Sequence, residues 1–347
     1  MRKHRNEYSE IQYKNRNSRN RRTDPGPVPR RRKGRTAGRR KRKAPVFRYF
    51  AVLAVLVILF VSLLSAGQFF RQRPKQVSPS AEDSGAELAN LFSPNAVLVR
   101  LNDEGTGEIA AEKNAGERIY PASLTKIMTA IVAVENIEDL GQWLEVPADI
   151  FPFLYEMDAS VAGFEPGETV TAEALLYGVI LPSGADCCLT LADFIAGSED
   201  AFVDLMNRKA EKLGMTDTHF SNSTGLQDKN HYTTVRDLAV LLEYALKNQT
   251  FRQIFTSSYY TVEPTDLHPE GFTMQSTLFE NLGTPQIEGG EILGGKTGYT
   301  GEAGLCLASL AKINGKEYIL ITAHAEGSHE TEPYHIEDAV KVYEQIS

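Results

Sequence analysis

Residues 49–70 form 22 consecutive positions without a charge, centred on AVLAVLVILFVSLL, and this stretch constrains the chain more than any other feature. A helix of that length rises about 33 Å, enough to cross a hydrocarbon layer of about 30 Å. Arg71 and Arg73 end it abruptly. We therefore expect a transmembrane signal-anchor at 46–70. A cleaved signal peptide fits poorly, because the leader before it is far too long and SAGQ is a poor small-x-small cleavage site.

Charge divides the chain at the same place. The first 48 residues carry 19 Lys and Arg against three acids, and the other 299 carry 18 against 42. The net charge of −8 hides that split. Residues 1–45 are basic, polar and almost free of aliphatic side chains, so they cannot bury enough apolar surface to offset chain entropy and are expected to be disordered. A Lys/Arg excess before a span holds that side in the cytoplasm and favours anionic headgroups. The N-terminus is thus expected to be cytoplasmic and the body extracytoplasmic. No nucleic-acid partner is expected of the acidic body. Residues 71–92, rich in Pro, Ser and Ala, read as a linker, and 93–347 as one catalytic domain.

Within the body, 96–101 and 108–112 have the pattern of a hairpin. Residues 123–135 read as a helix apolar on nearly every side, and 172–181 as a second apolar helix stopped by Pro182. Ser198 can cap a helix that ends at Gly214, and Thr234 to Asp237 resembles a capping box. Strands at 304–311 and 317–323 flank Asn314-Gly315, a strong hairpin signal. A helix at 336–345 closes the chain. Strands, then helices, then strands again predict an α+β fold: an antiparallel sheet from both chain ends, flanked by helices, with a mostly helical lobe inserted. Cys187, Cys188 and Cys306 are odd in number, show no disulfide framework, and read as buried core residues.

Three motifs carry chemistry. Ser123-Leu-Thr-Lys126 places a hydroxyl and an amine one helical turn apart. Serine needs a base to become a nucleophile, and lysine serves only when neutral, which burial promotes. Pro182-Ser183-Gly184 puts a serine in a turn between two apolar helices. Gly294-Gly295-Lys296-Thr297-Gly298-Tyr299-Thr300 offers a cation and a hydroxyl on a strand that a ligand can approach closely. Each motif alone also fits an ordinary turn or a solvated pair.

Taken in order, Ser-x-x-Lys, a Ser-Gly turn and Lys-Thr-Gly resemble the signature of penicillin-binding proteins and class A β-lactamases. The blocks PASLTKIMTA, GETVTAEALLYGVILPSGADCCLTLA, HFSNSTGLQDKNHYTTVRDLA and GGKTGYTGEAGLCLA are most similar to low-molecular-mass D-alanyl-D-alanine carboxypeptidases, serine peptidases of the S11 type. The resemblance implies the penicillin-binding protein/β-lactamase-like transpeptidase fold. It implies Ser123 as the acylated nucleophile, Lys126 as its base and Ser183 as a proton shuttle. Lys296, Thr297, Gly298 and Tyr299 would bind substrate, Thr297 the terminal carboxylate, with the N–H groups of Ser123 and Tyr299 as the oxyanion hole. It also implies a peptidoglycan stem-peptide substrate, covalent inhibition by β-lactams, and no metal or organic cofactor.

One position departs from the pattern. The second motif is usually Ser-x-Asn, and here its third residue is Ala185, with Asp186 following. That leaves a weakly active or inactive wall-binding homologue as an alternative. A β-lactamase is the other, although no Glu-x-x-x-Asn lies between Ser183 and Lys296. His324, His329 and His335 share an acid-rich segment without zinc-type spacing, which reads as a polar loop.

Overall fold

The computed structural model describes residues 86–347. The basic segment 1–45, the 46–70 span and linker residues 71–85 lie outside the described residues. Among the described residues, no helix is long and apolar enough to cross a membrane.

The domain opens with the hairpin β1 (Asn95–Leu101) and β2 (Gly107–Lys113). There follow α1 (Thr125–Asn136), β3 (Trp143–Glu145), α2 (Phe151–Glu156), β4 (Thr169–Thr171), α3 (Ala172–Ile180), α4 (Ala185–Ala196) and α5 (Glu199–Leu213). Next come α6 (Val235–Leu246), α7 (Gln249–Phe255), β5 (Tyr259–Val262), β6 (Phe272–Gln275), α8 (Thr277–Leu282) and β7 (Gln286–Ile287). The chain finishes with β8 (Gly290–Thr300), β9 (Gly304–Ile313), β10 (Lys316–Ala325) and α9 (Tyr334–Gln345).

Six strands form one sheet in the order β2-β1-β10-β9-β8-β7, and each neighbouring pair is antiparallel. The first strand pairs with the last, Asn95 opposite Ala323 through Leu101 opposite Glu317, so both ends of the domain build the sheet centre. The β9–β10 connection turns on Asn314 (φ 49°) and Gly315 (φ 79°). Two left-handed residues give the turn twist that suits a two-residue hairpin.

Alternation along the strands fixes the layers. Val97, Val99, Leu101, Ala308, Leu310, Ile319 and Ile321 join the core under the helical lobe. Ala96, Leu98, Leu307, Ala311 and Leu320 face the opposite way and pack with Ile336, Ala339, Val342 and Tyr343 of α9. Leu88 and Leu91, which the sequence reading placed in the linker, are buried in that second core. Asp338 ties them down by accepting the N–H groups of Phe92 (2.9 Å) and Ser93 (2.8 Å).

In the lobe, Ile127, Met128, Ala130 and Ile131 of α1 are fully enclosed. Each large apolar side chain so buried is worth roughly 1.5–3 kcal/mol. Ser198 caps α5 by accepting the Ala201 N–H, and Gly214 (φ 77°) ends it. Thr234 caps α6 by accepting the Asp237 N–H (3.0 Å). The reciprocal half of a capping box is missing. Asp237 instead accepts Asp217 N–H (3.1 Å) and the Thr218 hydroxyl (2.7 Å), binding the helix start to a neighbouring loop. All three cysteines are buried and unpaired.

Candidate active site

Ser123 does not lie within the helix that the sequence pattern predicts. It sits in a tight 3-10 turn, Ala122–Leu124, with α1 starting at Thr125. Ala122 before it is left-handed, with φ 46°. A side chain at such a φ is strained and has to be held by its surroundings. Here Thr125 Oγ1 donates to the Ala122 carbonyl (2.8 Å) and lies 2.7 Å from His231 Nε2. His231 Nδ1 accepts the Ser221 N–H at 3.0 Å. With Nδ1 accepting, the ring proton belongs on Nε2, and the relay runs from Ser221 through His231 and Thr125 to Ala122. Burial pulls His231 down to about 4, so the ring is neutral at neutral pH. Gly225 backs the same turn, since a Cβ there would lie 2.0 Å from the Ala122 oxygen.

Lys126 points back at Ser123. Its Nζ is 3.1 Å from Ser123 Oγ and donates to the Thr224 carbonyl at 2.6 Å. Only 3% of the residue is exposed. Loss of hydration lowers its pKa, against smaller opposing fields from Cys188 and Asp186. Lys296 is fully buried and donates to the Thr297 carbonyl at 2.7 Å. Burial first, and Lys126 second, hold its pKa well below the lysine value. Two amines close together out of water are driven toward neutrality. A neutral Lys126 beside Ser123 is a base in reach of an alcohol proton.

Ser183 is also left-handed (φ 68°). It is 5% exposed, and its Oγ has no hydrogen-bond partner. Ala185 begins α4 and Asp186 follows. Asp186 Oδ1 accepts the Ala162 N–H (2.9 Å), while its enclosed Oδ2 has no partner. Burial raises this carboxyl to about 6. Asp186 is therefore spent on the loop before β4. Ala185, and not Asp186, is among the residues lining the cleft.

Strand β8 closes the site from the other side. A Cβ on Gly298 would lie 3.0 Å from the Ser123 nitrogen, so glycine lets the strand rest against the nucleophile turn. Thr297 Oγ1 is 2.6 Å from Thr277 Oγ1. Tyr299 meets the His329 ring edge-on at 4.8 Å.

The cleft has two arms that share Ser123, Ser160, Tyr299 and His329. One arm, of about 280 Å³, adds Ser183, Thr277, Thr297, Gly298 and His335. The other, of about 300 Å³, adds Lys126, Ala185 and Thr224. The structure thus gathers Ser123, Lys126, Ser183, Thr297, Gly298 and Tyr299 around one space. Lys296 lies behind it, buried. Among the described residues, no group of His, Cys, Asp and Glu could hold a metal ion. Thr277 carries no local signal of its own, Thr125 and His231 fall in the PASLTKIMTA and HFSNSTGLQDKNHYTTVRDLA blocks, and His335, read from the sequence as part of a polar loop, is instead buried at the start of α9.

The D-alanyl-D-alanine carboxypeptidase family profile matches residues 84–327. The chain belongs to that family. A Bacillus subtilis (strain 168) relative, D-alanyl-D-alanine carboxypeptidase DacF, is 33% identical over 276 residues, covering 79% of this chain and 65% of the relative. DacC of Escherichia coli (strain K12), another D-alanyl-D-alanine carboxypeptidase, is 40% identical over 180 residues, 46% of this chain and 44% of the relative. The chain thus matches about half to two thirds of the length of these relatives. The crystal structure of the Streptomyces K15 DD-transpeptidase superposes with a TM-score of 0.65 at 28% identity, covering 74% of this chain and 97% of that one. The penicillin-binding protein architecture expected from the three motifs is the one present. Ala185 lines the cleft near Lys126, whose amine is held by the Thr224 carbonyl.

Proposed function

We propose that this protein is a penicillin-binding serine D-Ala-D-Ala carboxypeptidase, tethered by its N-terminal span with the catalytic domain outside the cytoplasm. The observation that carries the reading is Lys126 Nζ at 3.1 Å from Ser123 Oγ, both bordering the cleft that β8 closes. Ser123 Oγ attacks the carbonyl of the penultimate D-alanine as Lys126 takes its proton. The tetrahedral oxyanion is received by the N–H groups of Ser123 and Tyr299. The C–N bond then breaks, and Ser183 passes a proton to the departing D-alanine. Thr297 binds the substrate's terminal carboxylate, with the buried Lys296 amine behind it on the Thr297 carbonyl. Water hydrolyses the ester and restores Ser123. A β-lactam follows the first half of this path, opening its ring on Ser123.

Membrane tethering keeps the enzyme near newly made wall. It rests on the uncharged 49–70 stretch and the basic leader. The weakly active alternative rests on Ala185. Release of D-alanine from a pentapeptide separates the two readings. Wild type is expected to release it, and Ser123→Ala to lose at least about a thousandfold. Equal rates for both proteins would defeat the enzyme reading.

A further inference from the structure

Residues 221–226, Ser-Asn-Ser-Thr-Gly-Leu, touch both Lys126 and the Ser123 turn. The Thr224 carbonyl accepts Lys126 Nζ at 2.6 Å. Gly225 (φ 83°) lies so close that a Cβ there would stand 3.0 Å from the Ser123 nitrogen. Among the described residues, Lys126 Nζ has two hydrogen-bond partners, Ser123 Oγ at 3.1 Å and that carbonyl. A neutral amine carries one lone pair. With one N–H pinned on Thr224, the lone pair is confined to directions that include Ser123 Oγ. The aim of the base therefore depends on where the Thr224 carbonyl stands.

One side chain sets that carbonyl. Asn222 Oδ1 accepts the Gly225 N–H at 2.7 Å, and the Thr224 N–H and hydroxyl at 3.2 Å each. Its Nδ2 donates to the Leu226 carbonyl at 2.9 Å. Both ends of the amide are spent inside the loop, and they flank the Thr224–Gly225 peptide on both sides. An asparagine that bonds to the backbone two residues on replaces a backbone turn. Ser223 is fastened separately. Its N–H and hydroxyl donate to Glu199 Oε1 of α5 (2.8 and 2.7 Å), and its carbonyl accepts Thr129 Oγ1 of α1 (2.6 Å). Those contacts moor the loop, and Asn222 gives it its internal shape. Asn222 is not among the residues lining either arm of the cleft, so whatever it does for the reaction passes through Thr224 and Gly225.

We propose that Asn222 is a positioning residue for acyl transfer: its side-chain amide holds the Thr224 carbonyl on Lys126 Nζ and thereby aims the Lys126 amine at Ser123. This rests on the acyl-transfer reading above. A displacement of about 1 Å at a reacting group can cost on the order of a hundredfold in rate, and the effect falls on the bond-making step, since the surfaces that bind the ligand are left in place.

Stopped-flow acylation of the full-length protein by benzylpenicillin separates the noncovalent dissociation constant from the first-order acylation rate. Asn222→Ala removes every bond of the amide. Its acylation rate should fall about a hundredfold, with the dissociation constant within about threefold of wild type. Asn222→Asp keeps an oxygen acceptor for the Thr224 and Gly225 N–H groups, and should recover the rate to within about tenfold of wild type. Asn222→Ser keeps an acceptor for the Thr224 N–H alone. It should fall between the two, and it carries the comparison if thermal melting shows that the alanine variant does not fold. An alanine or serine variant that acylates at the wild-type rate would overturn the role. So would an equal loss in affinity and rate, or an Asn222→Asp protein as slow as Asn222→Ala. A wild-type protein that forms no adduct on Ser123 would instead bring down the acyl-transfer reading, and this inference with it.

Discussion

Around Ala122 the named polar groups are all paired, whereas around Ser183 two buried oxygens have no partner. The two corners share a device, a non-glycine residue in left-handed backbone beside a serine: Ala122 at φ 46° and Ser183 itself at φ 68°. Such residues cost on the order of 1–3 kcal/mol each. At the first corner the Ser221–His231–Thr125 relay holds the strain and Lys126 is anchored on Thr224, so the nucleophile is fixed before substrate arrives. At the second, Ser183 Oγ and Asp186 Oδ2 stand unsatisfied. Of the two, Ser183 lines the cleft, so its Oγ is an atom that an incoming group can complete. The contrast assigns rigidity to Ser123 and openness to Ser183, the residues to which the proposed function gives attack and proton transfer.

The comparison can be sharpened first at Asp186. Its native pKa of about 6 lies above the ordinary 3.8, so the folded state binds more protons between those values. The stability this carboxyl contributes is present below about 4 and is lost as pH rises to about 6. The loss is on the order of 3 kcal/mol. Urea titrations from pH 4 to 7 should show that decline in wild type and its absence in Asp186→Asn. Parallel profiles would mean that the second corner is not under electrostatic strain.

Thr125→Val tests the first corner. It removes the hydroxyl from the relay at nearly constant volume, leaving the Ala122 carbonyl and the His231 Nε2–H without this partner. The expected cost is about 2 kcal/mol in urea unfolding, with slower acylation of Ser123. A variant as stable and as fast as wild type would show that the relay holds nothing.

The smallest effect runs the other way. Ala122→Gly relieves the left-handed side chain, so stability should rise by about 1 kcal/mol. Acylation should not improve, because the relay already sets the turn. A fall in stability would show that Ala122 is not strained.

Much of this was legible in residue order. The Asn314-Gly315 hairpin, the Ser198 and Thr234 caps and the two-period alternation of the strands are local signals, each set by contacts within a few residues. The three motifs named the cleft because their chemistry is local too. What was not legible depends on distance. Thr125 and His231 are 106 positions apart, and Thr277 and Thr297 are 20 apart, so only the fold reveals that their hydroxyls and ring are partners. Ser123 fell in a 3-10 turn whose left-handed Ala122 is held through Thr125 by the distant His231 and lies close against Gly225, which its neighbours in sequence do not announce. The short β3–β4 pair, three residues a side, has too few positions for an alternation to declare itself.

Mapping of the benzylpenicillin adduct by mass spectrometry, on wild type and on Lys126→Met, tests the central claim most directly. The account predicts opened penicillin on the peptide that contains Ser123, formed about a thousandfold more slowly without the Lys126 amine. It also predicts a wild-type rate that climbs with pH and levels off below the ordinary lysine value of 10.5, because burial keeps the amine neutral at lower pH. An adduct on another residue, or a Lys126→Met protein that acylates as fast as wild type, would contradict it.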